Sequence, residues 1–106
     1  MGFDYGSNKW KKKREHILRL DGYRCRIDSR YGKSTEAKIV HHIYPAEEYP
    51  QYAWCDWNLI SVSAANHNRL ENRITGELTE FGYELQRMTK PGIDWRKRTR
   101  PTSKIL

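Results

Sequence analysis

The chain has 106 residues with 20 Lys+Arg against 13 Asp+Glu, a formal net charge of +7, which fits one domain over 1–106 and points to a polyanion, nucleic acid ahead of membrane. With 37% hydrophobic and 31% charged residues the core must be thin and lean on aromatics, and no apolar run approaches the roughly 20 residues of a membrane span. Cys25 and Cys55 are too few for a disulfide scaffold or a Cys-only zinc site, and no apolar h-region follows the basic start, so a cytoplasmic location is expected.

Residues 1–8, with Gly2, Gly6 and Ser7, read as a flexible lead-in to a core over 9–76. Residues 9–20 hold no Gly or Pro; Trp10, Ile17, Leu18 and Leu20 make an apolar helix face, with Lys11, Lys12, Lys13, Arg14 and Arg19 outward, and Asp21-Gly22 stops the helix. Residues 23–35 are polar and turn-rich. Ala37-Lys38-Ile39-Val40 has strand character and delivers His41-His42 at its end. Residues 44–56 carry Pro45 and Pro50 and predict an ordered, irregular loop, followed by a short strand over 58–62. Ser63 is an N-cap for a helix running to Arg73 or Ile74, which Gly76 ends. Residues 77–106 form a C-terminal extension. Leu78, Phe81, Leu85 and Met88 sit there at helical spacing, although Gly82 weakens the helix, and a basic tail begins at Lys90 with Asp94 as its single acid.

Three pieces carry chemistry: His41-His42 at the end of a strand, Asn58 opening the next, and His67 on the helix behind. Neighbours on a strand point to opposite sides, so His41 and His67 can share one divalent ion while His42 stays free to act as a base. Glu71 lies four residues after His67 on the same helix face and is a candidate extra ligand, beside the plainer reading of a solvated glutamate.

These residues, in the pieces Trp10…Arg14…Ile17-Leu18, Asp21-Gly22-Tyr23-Arg24-Cys25, Ile39-Val40-His41-His42-Ile43-Tyr44-Pro45, Trp57-Asn58-Leu59-Ile60-Ser61 and Asn66-His67-Asn68-Arg69, resemble the HNH endonucleases, the ββα-metal or His-Me finger class. The resemblance implies an α+β fold, a ββα-metal core with an N-terminal helix and a C-terminal helical, basic extension. It implies His41 and His67 as metal ligands, His42 as general base, and Asn58 as the residue that fastens the loop bearing the base. The implied reaction is metal-dependent hydrolysis of DNA, nicking or cutting the duplex to leave 5′ phosphate and 3′ hydroxyl ends. Mg²⁺ or Mn²⁺ is the expected cofactor, with Zn²⁺, Ni²⁺ or Co²⁺ also able to bind. Similar small proteins of phages assist terminase in genome packaging, so terminase is an implied partner within a bacterial host cell.

Many small members also hold a structural zinc through two Cys-x-x-Cys pairs. At the matching positions this chain has Cys25 and Asp28, then Ser63 and Asn66, a poor set for zinc. No structural zinc is expected. Hydrogen bonds between Asp28 and Ser63 or Asn66, and packing of Trp10, Tyr23, Tyr31, Trp54 and Trp57, are expected to hold that corner instead.

Lys11, Lys12, Arg14, Arg69, Arg73, Arg96, Lys97 and Arg98 are the candidates for DNA contact, which would position a duplex without reading its bases. His16 and Glu47-Glu48 read as surface residues. The rival to an enzyme is a non-catalytic DNA-binding module on the same scaffold, and a third option is an RNA-directed nuclease. Residue patterns leave oligomeric state and target site open.

Overall fold

The computed structural model describes residues 2–97. Helix α1 (Asn8–Leu20) starts where the Ser7 side chain accepts from the Trp10 amide at 3.1 Å and buries Trp10, Ile17 and Leu18. Leu20, expected on that face, is instead exposed. The stop at Asp21-Gly22 is as the sequence suggests: Gly22 takes φ 65°, and the Tyr23 amide donates back to the Leu18 carbonyl at 2.8 Å. The stretch read as turn-rich contains a four-residue helix, α2 (Arg26–Ser29), inside a loop closed by the Arg24–Glu36 bridge.

Strands β1 (Ile39–His42) and β2 (Leu59–Val62) form a two-stranded antiparallel sheet, with His42 opposite Leu59 and His41 opposite Ile60. The two histidines are the last residues of β1, at the end of the strand as expected, whereas Asn58 closes a 3-10 turn over Asp56–Asn58 rather than opening β2. Helix α1 lies across both strands, α2 packs on β2, and helix α3 (Ala64–Leu70) packs on β1. The sheet is thus covered on both faces, and all four β2 residues are buried.

Helix α3 begins as expected, with Ser63 Oγ accepting from the Asn66 amide at 3.2 Å. It ends at Leu70, short of Arg73, because Asn72 diverts the chain: its Oδ1 accepts from the amides of Ile74 and Thr75 at 2.8 and 3.0 Å. Gly76, at φ 77°, serves that turn, and a Glu71–Leu78 bridge closes it. Helix α4 (Glu80–Met88) follows, capped by Thr79. Gly82 belongs in it for a packing reason: a Cβ there would collide with the Leu70 carbonyl oxygen, so α3 and α4 cross closely at that glycine.

The lead-in expected to be flexible is built into the fold over residues 2–8. Asp4 makes a turn, its Oδ1 accepting from the Gly6 amide at 3.0 Å and its carbonyl from Ser7 Oγ at 3.0 Å, and Phe3 packs against the core. At the other end, Trp95 Nε1 donates to the Trp57 carbonyl at 2.9 Å, which seats the 3-10 turn Trp95–Lys97 against the core. The rest of the expected basic tail lies outside the described residues.

Candidate metal and nuclease site

The alternation of β1 sends its two histidines to opposite faces. His41 faces His67 on α3 and Glu71, which is not on the helix as expected but is its extended C-cap residue, at φ −145° and ψ 147°. His67 Nε2 lies 3.1 Å from Glu71 Oε1 and His41 Nδ1 lies 4.0 Å from the same oxygen. One ligand atom from each of the three lies within 4.8 Å of the others. Burial pushes the His41 ring down to about 3, against a smaller upward pull from Glu71, so it is held neutral, the form that ligates metal. The hydrogen bond from His67 holds the Glu71 carboxyl below the ordinary range, so it is ionised. His41 Nε2 is buried without a hydrogen-bond partner. Two imidazoles and one carboxylate form a donor set that could hold a divalent ion, with Mn²⁺, Co²⁺, Ni²⁺ or Zn²⁺ matching imidazole better than Mg²⁺ does.

His42 faces α1 and sits in an aromatic box. Trp10 stacks on it at 5.2 Å, with 23° between the planes, and Phe3 meets it edge-on at 4.9 Å. Its Nε2 lies 3.0 Å from the Ala53 carbonyl, which can only accept, so Nε2 carries the proton and Nδ1 the lone pair. The Tyr5 hydroxyl is 3.2 Å from Nδ1. Burial pushes the His42 pKa below its usual value, against an upward pull from the Ala53 carbonyl, so the ring is neutral at pH 7. Tyr5 is pushed up to about 12, chiefly by burial, and keeps its proton.

Asn58 is fully buried and spends its whole side chain on the loop after β1. Its Oδ1 accepts from the Tyr44 amide at 2.7 Å, and its Nδ2 donates to the carbonyls of Tyr44 and Tyr52 at 3.0 and 3.1 Å. That loop carries Ala53, whose carbonyl fixes the His42 tautomer. An open cavity of about 830 Å³ runs past Tyr5, Arg14, His41, His42, His67 and Glu71, so the candidate ligands and His42 line one space.

Neither protein-family models nor the curated proteins give a match to this chain. Among solved structures, it is similar to the HNH endonuclease of the deep-sea thermophilic bacteriophage GVE2, solved with manganese ion. The two share 35% identity over 61% of this chain and 71% of that one, with a TM-score of 0.59. The chain belongs to the HNH endonuclease family.

Within the HNH frame, the expected nucleic-acid contacts divide. Lys11, Lys12, Arg73 and Lys97 are exposed; Arg73 lies on the turn beyond α3, not on the helix. Arg14 lines the cavity and donates to the Lys38 carbonyl at 2.7 Å. Arg69 donates to Asn66 Oδ1 at 2.9 Å and lies over the Phe81 ring at 4.4 Å, with its surface still open. Arg96 corrects the expectation. Its Nε and Nη2 bond both oxygens of buried Asp21 at 2.6 and 2.9 Å, its Nη1 bonds the Asp56 carbonyl at 2.8 Å, and Nη2 also meets the Leu59 carbonyl. Its guanidinium is turned inward and spent on these partners. Arg98 lies outside the described residues.

At the corner where many HNH proteins hold zinc, the Asn66 amide takes the centre. Its Nδ2 approaches Asp28 Oδ1 at 2.9 Å, Ser63 Oγ at 3.2 Å and Cys25 Sγ at 3.4 Å. The aromatic packing expected there is elsewhere: Trp10 stacks on His42 and meets Trp54 at 6.2 Å, Trp57 packs on Tyr44 and Tyr52, and Tyr31 is 70% exposed. His16 is exposed, as expected, and faces Asp56 at 3.2 Å. Sequence reasoning missed Tyr5 and Phe3, because two aromatics in a Gly- and Ser-rich start carry no periodic signal.

Proposed function

We propose that the chain is a metal-dependent endonuclease that hydrolyses phosphodiester bonds in double-stranded DNA, leaving 5′ phosphate and 3′ hydroxyl ends. The observation that carries the reading is the single cavity lined by His41, His67 and Glu71 and by His42, a neutral imidazole whose unprotonated nitrogen belongs to no ligand set. His41, His67 and Glu71 would hold a divalent ion, which would supply positive charge to the phosphate being cleaved.

The chain's own residues do the rest. His42 is the base that ends with the proton of the attacking water, at Nδ1, because Nε2 is committed to Ala53. Trp10 fixes the ring plane, and Asn58 holds the loop that presents the Ala53 carbonyl. Arg14, on the cavity wall, offers its guanidinium to a phosphate, and Lys11 and Lys12 extend the positive surface along α1. The phage source of the related endonuclease supports a narrower role beside a terminase in genome packaging, to be checked by co-purification of the two proteins.

Relaxation of supercoiled plasmid with Mg²⁺ or Mn²⁺ tests the reading. Cleavage is expected from the parent chain and a loss of about 10²–10⁴-fold from His42→Ala. Equal cleavage by both proteins would remove His42 as the base. Binding without cleavage under any metal would favour the non-catalytic module, and preference for structured RNA in competition would redirect the substrate.

A further inference from the structure

We propose that Tyr5 is a further catalytic residue, which relays the proton of the attacking water to His42. The inference rests on the reading of His42 as the base. Four observations carry it. The Ala53 carbonyl fixes the proton on Nε2, so Nδ1 can only accept, and the Tyr5 hydroxyl at 3.2 Å is its donor. The phenol oxygen keeps lone pairs for a second partner, and Tyr5 lines the same cavity as His41, His67 and Glu71. His42 itself is closed off: it is 5% exposed, with Trp10 against its face and Phe3 against its edge. Finally, Tyr5 does not hang from a loose end. The Asp4 turn and the Ser7 cap join it to α1, and its ring meets Phe3 at 4.7 Å and Trp10 at 5.4 Å.

The step balances as follows. As the water oxygen bonds to phosphorus, its O–H bond breaks and the proton passes to the Tyr5 oxygen. The Tyr5 proton crosses to His42 Nδ1, which restores the phenol and leaves an imidazolium. The bond from phosphorus to the 3′ oxygen breaks with its electron pair on that oxygen, which is protonated through solvent as His42 returns its proton.

The test compares the parent chain, Tyr5→Phe and His42→Ala on supercoiled plasmid with Mn²⁺, and records imidazole ¹⁵N spectra of the metal-free proteins. Tyr5→Phe keeps the ring, and its thermal midpoint is expected to match the parent. Its kcat should fall by about 10–100-fold with KM little changed, within the range of a positioned proton-transfer group. The proton inventory of the parent should report two protons in flight and that of Tyr5→Phe one. The His42 Nδ1 resonance should shift in Tyr5→Phe as its donor is lost. Full or raised activity in Tyr5→Phe with an unchanged inventory, while His42→Ala is inactive, would overturn the relay alone and make the hydroxyl a cover over the base. Full activity in His42→Ala would overturn the base reading and the relay together.

Discussion

Each of the two adjacent histidines has its chemistry set by the face of β1 it leaves from. His41 is buried against α3 and held neutral down to a pKa of about 3. The unfolded chain binds a proton at this residue below about 6.5, and the native chain does so only near 3, so acid favours the unfolded state. Thermal stability of the metal-free protein should therefore fall as pH drops through 6.5 and keep falling toward 3. A midpoint independent of pH across that window would place His41 in water instead. Asn58→Ala strands the Tyr44 amide and two loop carbonyls; a loss of about 2–4 kcal/mol in urea unfolding is expected, together with reduced cleavage as the Ala53 carbonyl drifts. The opposed faces of His41 and His42 were legible from strand alternation alone. Tyr5 was not, because its importance comes from a partner 37 residues away, and nothing local in the chain marks such a pairing.

At the scale of elements, caps and stops were the readable features. Ser63 and Asp21-Gly22 act through bonds to their own neighbours, so their residue types suffice to announce them. The end of α3 was misjudged because Asn72 captures two amides of the next turn, a local competitor that helical spacing conceals. Gly82 was read as a weakness in α4, whereas it is the point where α4 meets the Leu70 carbonyl. Gly82→Ala removes a helix penalty of roughly 1 kcal/mol but introduces a backbone clash, so a net destabilisation of about 1–3 kcal/mol is expected. Stabilisation by Gly82→Ala in urea titration would show that the two helices can separate without cost.

Across the whole molecule, one ion pair ties distant parts together. Asp21 ends α1 and accepts from the Ser61 amide of β2 at 3.1 Å, and Arg96 reaches it from the far end of the chain while also bonding the Asp56 and Leu59 carbonyls. Arg96→Met would leave a buried carboxylate without its main partner, and a loss of about 3–5 kcal/mol is expected by calorimetry. Below the lowered melting point, cleavage should persist, because none of these bonds touches the cavity. Loss of less than about 1 kcal/mol would return Arg96 to the solvated surface. A net positive charge of +7 does not separate cations that face outward from one that fastens the fold. The Cys25, Asp28, Ser63 and Asn66 corner was readable as a departure from the zinc-bearing pattern, but the places of the aromatics were not: Trp10 stacks on His42, Trp57 packs on Tyr44 and Tyr52, and Tyr31 is exposed.

The arrangement of one cation beside one unligated imidazole is tested most directly by anomalous diffraction at the manganese edge from crystals soaked in Mn²⁺. The expected result is a peak bounded by His41, His67 and Glu71, with both His42 nitrogens outside the coordination sphere. A peak bonded to His42, or one seated only at the Cys25 and Asp28 corner, would contradict it.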